Sequence, residues 1–505
     1  MLAAAAAAFP DRVAVVGERH RWTYAELDAA ADDHARALRP LVEGSGAPVA
    51  VSSFPHPAFV AGYYGAVRAG AVVVPLNPLL PDAAVERVLE QSGAAVALLA
   101  PEVYERLTAW RQRPSRLEHV FPLWGEGGAE PVTAIAPAPA SGAPLPPGRG
   151  GEDTAVVMFT SGTTGPSKGV AVSHRAVLTN AAQFGECHRV GAGSVVLCHL
   201  PIVSPMHMNA AVRAGACQVL CPSPDIAEAV RRANEHGATH YYSLPVRLAR
   251  LATAPELAGL SLTTVTMIAA GNQTLAPQVV AGLSERFGVP VFQGYGLTES
   301  THLAHTDGPV DPRPGSCGPP VPGSESRIVD IDTAEVLAPG EIGELQIRGP
   351  QLMTGYTNRP GQEPFDGEGW FATGDVGSLD GEGYLYVLDR LVDVFRHDGL
   401  LVSPSLVERL LQEHPAVVEA AVADRADGGR GRAPVAFLVL AEPGPGSRAE
   451  TVAAVIESVN AVLEPHERLR DAVVVPAVAR SATNGKVDRK ALRAGLRGGL
   501  ATLPV

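Results

Sequence analysis

Cysteine is scarce in this 505-residue chain, and the five present, Cys187, Cys198, Cys217, Cys221 and Cys317, form no CxxC pair. An odd, scattered set excludes a disulfide scaffold and reads as reduced thiols, so a cytoplasmic protein is expected. Cys217 and Cys221 are spaced to share a helix face, but no histidine pair at metal spacing accompanies them, so zinc is not expected. No apolar run reaches the ~18 residues a membrane helix needs, so no membrane partner is expected. Positive charge is not in excess either: 40 Lys and Arg face 53 Asp and Glu, for a net charge of −13. That argues against a nucleic-acid polymer held by phosphate neutralisation, though not against a nucleotide held by one local basic loop. The Ala-rich start has no basic segment before its apolar run and reads as the first turns of a helix rather than a secretory signal. No internal repeat is visible.

The length exceeds one ordinary core, so two or three domains are expected, and 46% hydrophobic residues suit a globular protein. Residues 11–130 alternate helical and strand patterns. A helix begins at Tyr24 after Thr23, a suitable N-cap. Ala71–Leu76 and Ala94–Leu99 read as buried strands. Such alternation predicts parallel sheets with helical crossovers. Pro131–Gly150, rich in Pro, Ala and Gly, reads as an exposed linker. After Asp389 the texture changes. Ser403 and Pro404 start a helix, strands follow at 417–423, 434–440 and 472–475, and a second helix covers about 449–463. This is the pattern of a compact α+β module.

The segment Phe159-Thr160-Ser161-Gly162-Thr163-Thr164-Gly165-Pro166-Ser167-Lys168-Gly169-Val170 carries the clearest chemistry. A strand-like run, Ala155–Phe159, precedes it, and an apolar strand, Val170–Val172, follows. Glycines let a backbone approach a ligand closely. Successive N–H groups in such a loop form an anion site. The hydroxyls add donors, and Lys168 adds a mobile point charge. The loop reads as a clamp for a polyphosphate, such as that of a nucleotide. It is not a standard P-loop, because Ser167 precedes the lysine and Gly169 follows it.

Thr160–Gly169 resembles the phosphate-loop signature of the adenylate-forming (ANL) superfamily of acyl- and aryl-CoA ligases, peptide-synthetase adenylation domains and luciferases. Further segments match that family in order along almost the whole chain. Gly294-Tyr295-Gly296-Leu297-Thr298-Glu299 is similar to its adenine and magnesium motif. Gly343–Pro350 with Gly355-Tyr356 is another match. Trp370–Asp375 resembles the ribose-binding motif, and Asp389-Arg390 the interdomain hinge. Asn484-Gly485-Lys486-Val487-Asp488-Arg489 resembles the C-terminal lysine loop.

The resemblance implies an α/β fold. Residues 1–389 would form a large N-terminal domain of layered, mostly parallel sheets with helices. Residues 390–505 would form a small, mobile α+β C-terminal domain. It implies an AMP-forming ligase that activates a carboxylic acid with ATP and Mg2+ and passes it to CoA. The alternative acceptors are an amine, a carrier-protein thiol or another nucleophile; some relatives activate nitrite. A homodimer stays open.

By resemblance, the nucleotide set comprises Thr160, Ser161, Gly162, Thr164, Gly165, Lys168, Gly271, Asn272, Gln273, Gly294, Tyr295, Gly296, Thr298, Asp375, Val387 and Arg390. Glu299 is the magnesium ligand, helped by a hydroxyl from Thr163 or Thr164. Lys486 is the catalytic cation that bridges carboxylate and α-phosphate, with Glu299, Thr163 and His207 completing the catalytic set. The acid pocket falls on Met206, His207, Asn272, Ser300 and His302.

Two departures stand out. Val392, β-branched and stiff, occupies the hinge pivot where the family usually has Asp or Lys. Asp398 stands in the segment that approaches CoA, where Ser or Lys is commoner, and a carboxylate there disfavours a phosphate-bearing thiol. The pocket segments also hold two amides, Asn272 and Gln273, and two imidazoles, His207 and His302. Because buried polar groups need partners, a small or polar acid is expected rather than a fatty acid.

Overall fold

The computed structural model describes residues 1–42, 46–110, 114–125, 150–160, 167–359, 361–441, 447–480, 487–500 and 503–504. The chain divides into two compact units. One comprises residues 1–326, 347–371 and 380–385; the other comprises 327–346, 372–379 and 386–505.

Among the described residues the first unit holds two large sheets. One has eight strands in the spatial order His305–Thr306, Val291–Tyr295, Met267–Ala270, His240–Ser243, Val195–His199, Cys217–Leu220, Val13–Val16 and Arg21–Thr23. Its inner strands are parallel, with Tyr241 opposite both Leu197 and Ile268. Only the two edge strands run antiparallel. The other sheet has seven strands in the order Gly355–Tyr356, Gly169–Ser173, Thr154–Phe159, Val72–Leu76, Pro48–Ser52, Val96–Leu99 and His119–Pro122.

Strands that lie between parallel neighbours are covered on both faces and therefore read as unbroken apolar runs. Val96, Ala97, Leu98 and Leu99 are all buried, as are Val72, Val73 and Val74. The expectation of parallel sheets with helical crossovers is met here. Cys217 opens one of these strands rather than sharing a helix face with Cys221; both thiols are free. The N-terminal helix spans Leu2–Ala8. The helix after Thr23 spans Tyr24–Leu38, and Thr23 and Glu26 form a reciprocal capping box at its start. The linker expected at 131–150 lies outside the described residues except for Gly150.

In the second unit, Val417–Ala426 pairs antiparallel with Arg432–Leu440, which pairs parallel with Asp471–Val474. Helices Pro404–Gln412 and Arg448–Asn460 pack Val407, Leu411, Val455 and Ile456 with Val422 and Leu438. Ser403 caps the first of these helices by accepting from the Leu406 N–H. Among the described residues no helix is long and apolar enough to cross a membrane.

A buried ionic cluster braces this unit. Arg489, at the first turn of helix Arg489–Arg497, places Nη2 2.8 and 2.9 Å from the two carboxylate oxygens of Glu408. Its Nε donates to the Val422 carbonyl at 3.2 Å. Removing one partner of such a pair strands the other charge away from water, at a cost of about 3–5 kcal/mol. Arg489→Met is therefore expected to lower unfolding free energy by that order in chemical denaturation, whereas a change within about 0.5 kcal/mol would show the cluster to be solvated.

Candidate active site

In open α/β sheets, parallel strands all end at one edge, and ligands collect outside those carboxyl ends. The first unit has a cavity of about 360 Å³ at such a place. Its lining takes Leu200–Ser204 after strand Val195–His199, Ser243 and Leu244 after His240–Ser243, Gly271 and Asn272 after Met267–Ala270, and Gly294 and Gly296 from the end of Val291–Tyr295. The seven-stranded sheet contributes Ser53, Pro75, Asn77, Met158 and Phe159.

Met206 and His207 reach the cavity from the first turn of helix Pro205–Ala214. The rotation of that helix is fixed on its buried side, where Tyr64 Oη donates to Asn209 Oδ1 at 2.7 Å. His302 and Thr298 complete the wall next to Glu299. The chain bends sharply here, with Asn272, Thr301 and His302 all at positive φ, 73°, 53° and 72°. Non-glycine residues hold such angles only where the surroundings impose them, and they cluster at functional sites. Gly296 has no alternative: a Cβ there would lie 2.3 Å from the His302 carbonyl oxygen.

Several lining residues escape a reading of the sequence. Phe184, His188, Tyr242 and Thr306 close the cavity. His188 Nδ1 lies 2.8 Å from Tyr242 Oη, and Nε2 lies 2.9 Å from Thr306 Oγ1. The His207 ring meets Phe184 and Tyr242 edge-on, with centroids 5.0 and 4.7 Å apart. Its Nδ1 is buried and without a hydrogen-bond partner. Burial, with His302 beside it, pushes His207 down to about 3, and burial pushes His302 to about 4. Both imidazoles are neutral at pH 7, and among the described residues the lining contains no Lys, Arg, Asp or Glu. Of these closing residues, Tyr242 has a local signal, the polar and aromatic side chains of an inner strand, His240-Tyr241-Tyr242-Ser243.

Of the other expected residues, Glu299 is buried in a short 3-10 turn, Thr298–Ser300, and its Oε1 accepts from Tyr356 Oη at 2.9 Å. Lys168 lies over the Tyr356 ring, its Nζ 4.8 Å from the centroid. The two ends of the phosphate loop are clasped together. Thr160 N donates to the Lys168 carbonyl at 3.0 Å, Lys168 N to Thr160 Oγ1 at 3.1 Å, and Ser167 Oγ to the Thr160 carbonyl at 2.6 Å. The span between, with Ser161, Gly162, Thr163, Thr164 and Gly165, lies outside the described residues, as does Lys486.

Gln273 is exposed, and neither it nor Tyr295 lines the cavity. Ser300 is buried, but its hydroxyl is engaged by Leu297, accepting from the N–H at 2.9 Å and donating to the carbonyl at 3.1 Å. In the second unit Arg390 Nε lies 2.7 Å from Asp375 Oδ1, and Val387 is half-buried in strand Leu385–Arg390.

Residues 2–357 match the family model described as AMP-binding enzyme, and residues 406–486 match that of the AMP-binding enzyme C-terminal domain. The chain belongs to the AMP-binding enzyme family. It is an AMP-forming acid ligase of the adenylate-forming superfamily, as the ordered motifs implied. The chain is 30% identical over 502 residues to 4-coumarate-CoA ligase 3 of Oryza sativa subsp. japonica, covering 95% of this chain and 88% of that protein. ATP-bound MatB from Rhodopseudomonas palustris superposes with a TM-score of 0.84 at 26% identity, covering 96% of each chain. The o-succinylbenzoate CoA synthetase MenE from Bacillus subtilis, in complex with the acyl-adenylate OSB-AMP, gives 0.81 at 26% identity, with 97% of each chain covered.

The depressed histidines of this family member carry a stability consequence. His199 and His305, like His302, are pushed down to about 4, in each case chiefly by burial. Between about pH 6.5 and these values the unfolded chain binds protons that the folded chain refuses. Stability from this source is complete above about pH 6.5 and is lost as pH falls toward 4. The melting temperature is expected to drop between pH 7 and pH 5, with a shallower drop in His302→Gln; identical slopes in wild type and variant would refute the assignment.

Proposed function

We propose that this enzyme activates a small or polar carboxylic acid with Mg-ATP as its acyl adenylate, releasing pyrophosphate, and then forms the CoA thioester. The observation that carries this reading is the small cavity at the carboxyl ends of the parallel strands, uncharged among the described residues and bordered by Gly271, Asn272, Gly294, Gly296 and Thr298. Its volume lies at the low end for ligand pockets, which disfavours a long acyl chain.

Adenylation places a carboxylate oxygen on the α-phosphorus while the bond to pyrophosphate breaks. Most of the acceleration comes from positioning and charge neutralisation. Thr160, Lys168 and the loop between them hold the β- and γ-phosphates. Magnesium takes hard oxygen donors, often one carboxylate with substrate phosphates and water. Glu299 suits that chemistry: Tyr356 occupies Oε1, which leaves Oε2 for a cation. Tyr295 offers a flat face to adenine, and Asp375 with Arg390 offers ribose contacts. In the second half-reaction the thiol attacks the acyl carbon and AMP departs.

We further read 1–389 and 390–505 as the two functional halves, with the hinge at Asp389-Arg390 and Lys486 as the adenylation cation. For CoA as acceptor, the relevant observation concerns Asp398. Arg430 Nε donates to its Oδ1 at 2.7 Å, so a guanidinium matches the carboxylate that stood against a phosphate-bearing thiol.

Two measurements test the reading. Lys486→Ala is expected to fold but to lose pyrophosphate release by at least about a hundredfold; near-wild-type release would remove the lysine from the mechanism. Mass spectrometry of products from a pooled acid library with ATP is expected to show acyl-AMP without CoA and acyl-CoA with it. AMP production that ignores CoA and answers to an amine, a carrier thiol or nitrite would establish the other acceptor class.

A further inference from the structure

We infer that the acid this enzyme activates carries a hydrogen-bond donor, a hydroxyl or amino group, on an otherwise uncharged tail, and that Tyr242 and Thr306 recognise it. The inference rests on the proposed adenylation of an acid in this cavity and goes beyond it by naming the chemistry of the tail.

The Asp307 carbonyl can only accept, so Thr306 Oγ1, 2.8 Å away, gives it the hydroxyl's single proton. His188 Nε2, 2.9 Å from the same Oγ1, must therefore be the donor of that contact. Burial holds His188 well below the usual histidine range, so the ring is neutral and carries one proton. Its Nδ1 is then bare and accepts from Tyr242 Oη at 2.8 Å. Tyr242, His188 and Thr306 are each more than nine-tenths buried.

The neighbouring hydroxyls obey the same logic. His199 Nε2 donates to the Ser223 carbonyl at 2.9 Å, which leaves Nδ1 to accept from Ser243 Oγ at 3.1 Å or from Tyr241 Oη at 3.3 Å. Ser53 Oγ donates to the Leu76 carbonyl at 3.2 Å. Three of the six hydroxyl-bearing residues of the lining, Ser53, Tyr242 and Thr306, have thus committed their protons and keep only lone pairs for a ligand.

A tail that offers only acceptors leaves those lone pairs unpaired in a desolvated wall, which costs about 1–3 kcal/mol per group. A second carboxylate is worse, because the lining supplies no Lys or Arg among the described residues to meet it. Neutral His207, with its unpartnered Nδ1, can adopt either tautomer and so complete the contact on the opposite side of a hydroxyl.

The test is ATP–pyrophosphate exchange by the full-length enzyme with benzoates and cinnamates bearing hydroxy, amino, methoxy, nitro or carboxy groups at one ring position. Hydroxy and amino acids are expected to exceed their methoxy and nitro counterparts by at least about tenfold in kcat/KM, with the carboxy acids lowest. Tyr242→Phe and, separately, Thr306→Val are expected to shrink that ratio mainly through KM, with melting curves confirming that each variant folds. Equal or better exchange with methoxy, nitro or carboxy acids overturns the inference while leaving adenylation intact. Unchanged ratios in both folded variants remove Tyr242 and Thr306 as its readers. Exchange with no acid of any kind overturns the adenylation reading, and this inference with it.

Discussion

The constraint on which the first unit depends is the parallel strand. Its backbone is satisfied only by neighbours on both sides, and its faces only by covering helices. The chain meets both demands with runs of Val, Ala and Leu, Val49–Val51 and Val96–Leu99, that are buried without interruption. A consequence follows for chemistry. Strands Val195–His199, His240–Ser243, Met267–Ala270 and Val291–Tyr295 all end at one edge, and the chain must leave each of them through a turn. Those turns supply Leu200–Ser204, Gly271, Asn272 and Gly296, so the cavity is the geometric remainder of the sheet.

Placing polar groups at such an edge has a cost, because each loses water on folding. The fold meets it by pairing the groups with one another and by keeping them neutral. His188 joins Tyr242 to Thr306, and His199 joins Ser243 to the Ser223 carbonyl. Burial drives the imidazole protons off rather than allowing a buried charge. The outcome is a cavity whose described lining has directional hydrogen bonding and no formal charge, a combination that discriminates by proton position more than by electrostatic attraction.

How much of this was legible in the sequence follows from the range over which each feature is determined. Thr23, Ser403 with Pro404 and the apolar runs around residues 72–76 and 96–99 are local, and they adopt the predicted structure. The family was legible because its motifs are contiguous. Only part of the cavity wall was: Met206, His207, Asn272 and His302 line it as the motifs implied, but His188, Tyr242 and Thr306, with His188 54 positions from Tyr242 and 118 from Thr306, meet only after the sheet has closed. Ser300 shows the opposite limit: its hydroxyl looks available in the sequence, yet a three-residue turn back to Leu297 engages both its donor and its acceptor capacity. Cys217 reads as part of a helix by spacing alone, but its strand is selected by the neighbours that flank it.

The second unit applies the same physics with charges instead of neutral groups. Asp389 accepts from Ser403 Oγ at 2.5 Å and from Ser405 Oγ at 2.6 Å, and Arg489 lies 3.9 Å from the same carboxylate and 3.7 Å from Asp393. Residues 389–393, the start of helix Pro404–Gln412 and the start of helix Arg489–Arg497 are thereby joined through one guanidinium. A buried ion pair contributes little net stability compared with well-packed apolar residues, but it tolerates few alternative arrangements. Its value here is therefore geometric. The residue three positions after Lys486 is fixed to the segment that follows the expected hinge, so a rotation about that hinge would carry the two together as one body.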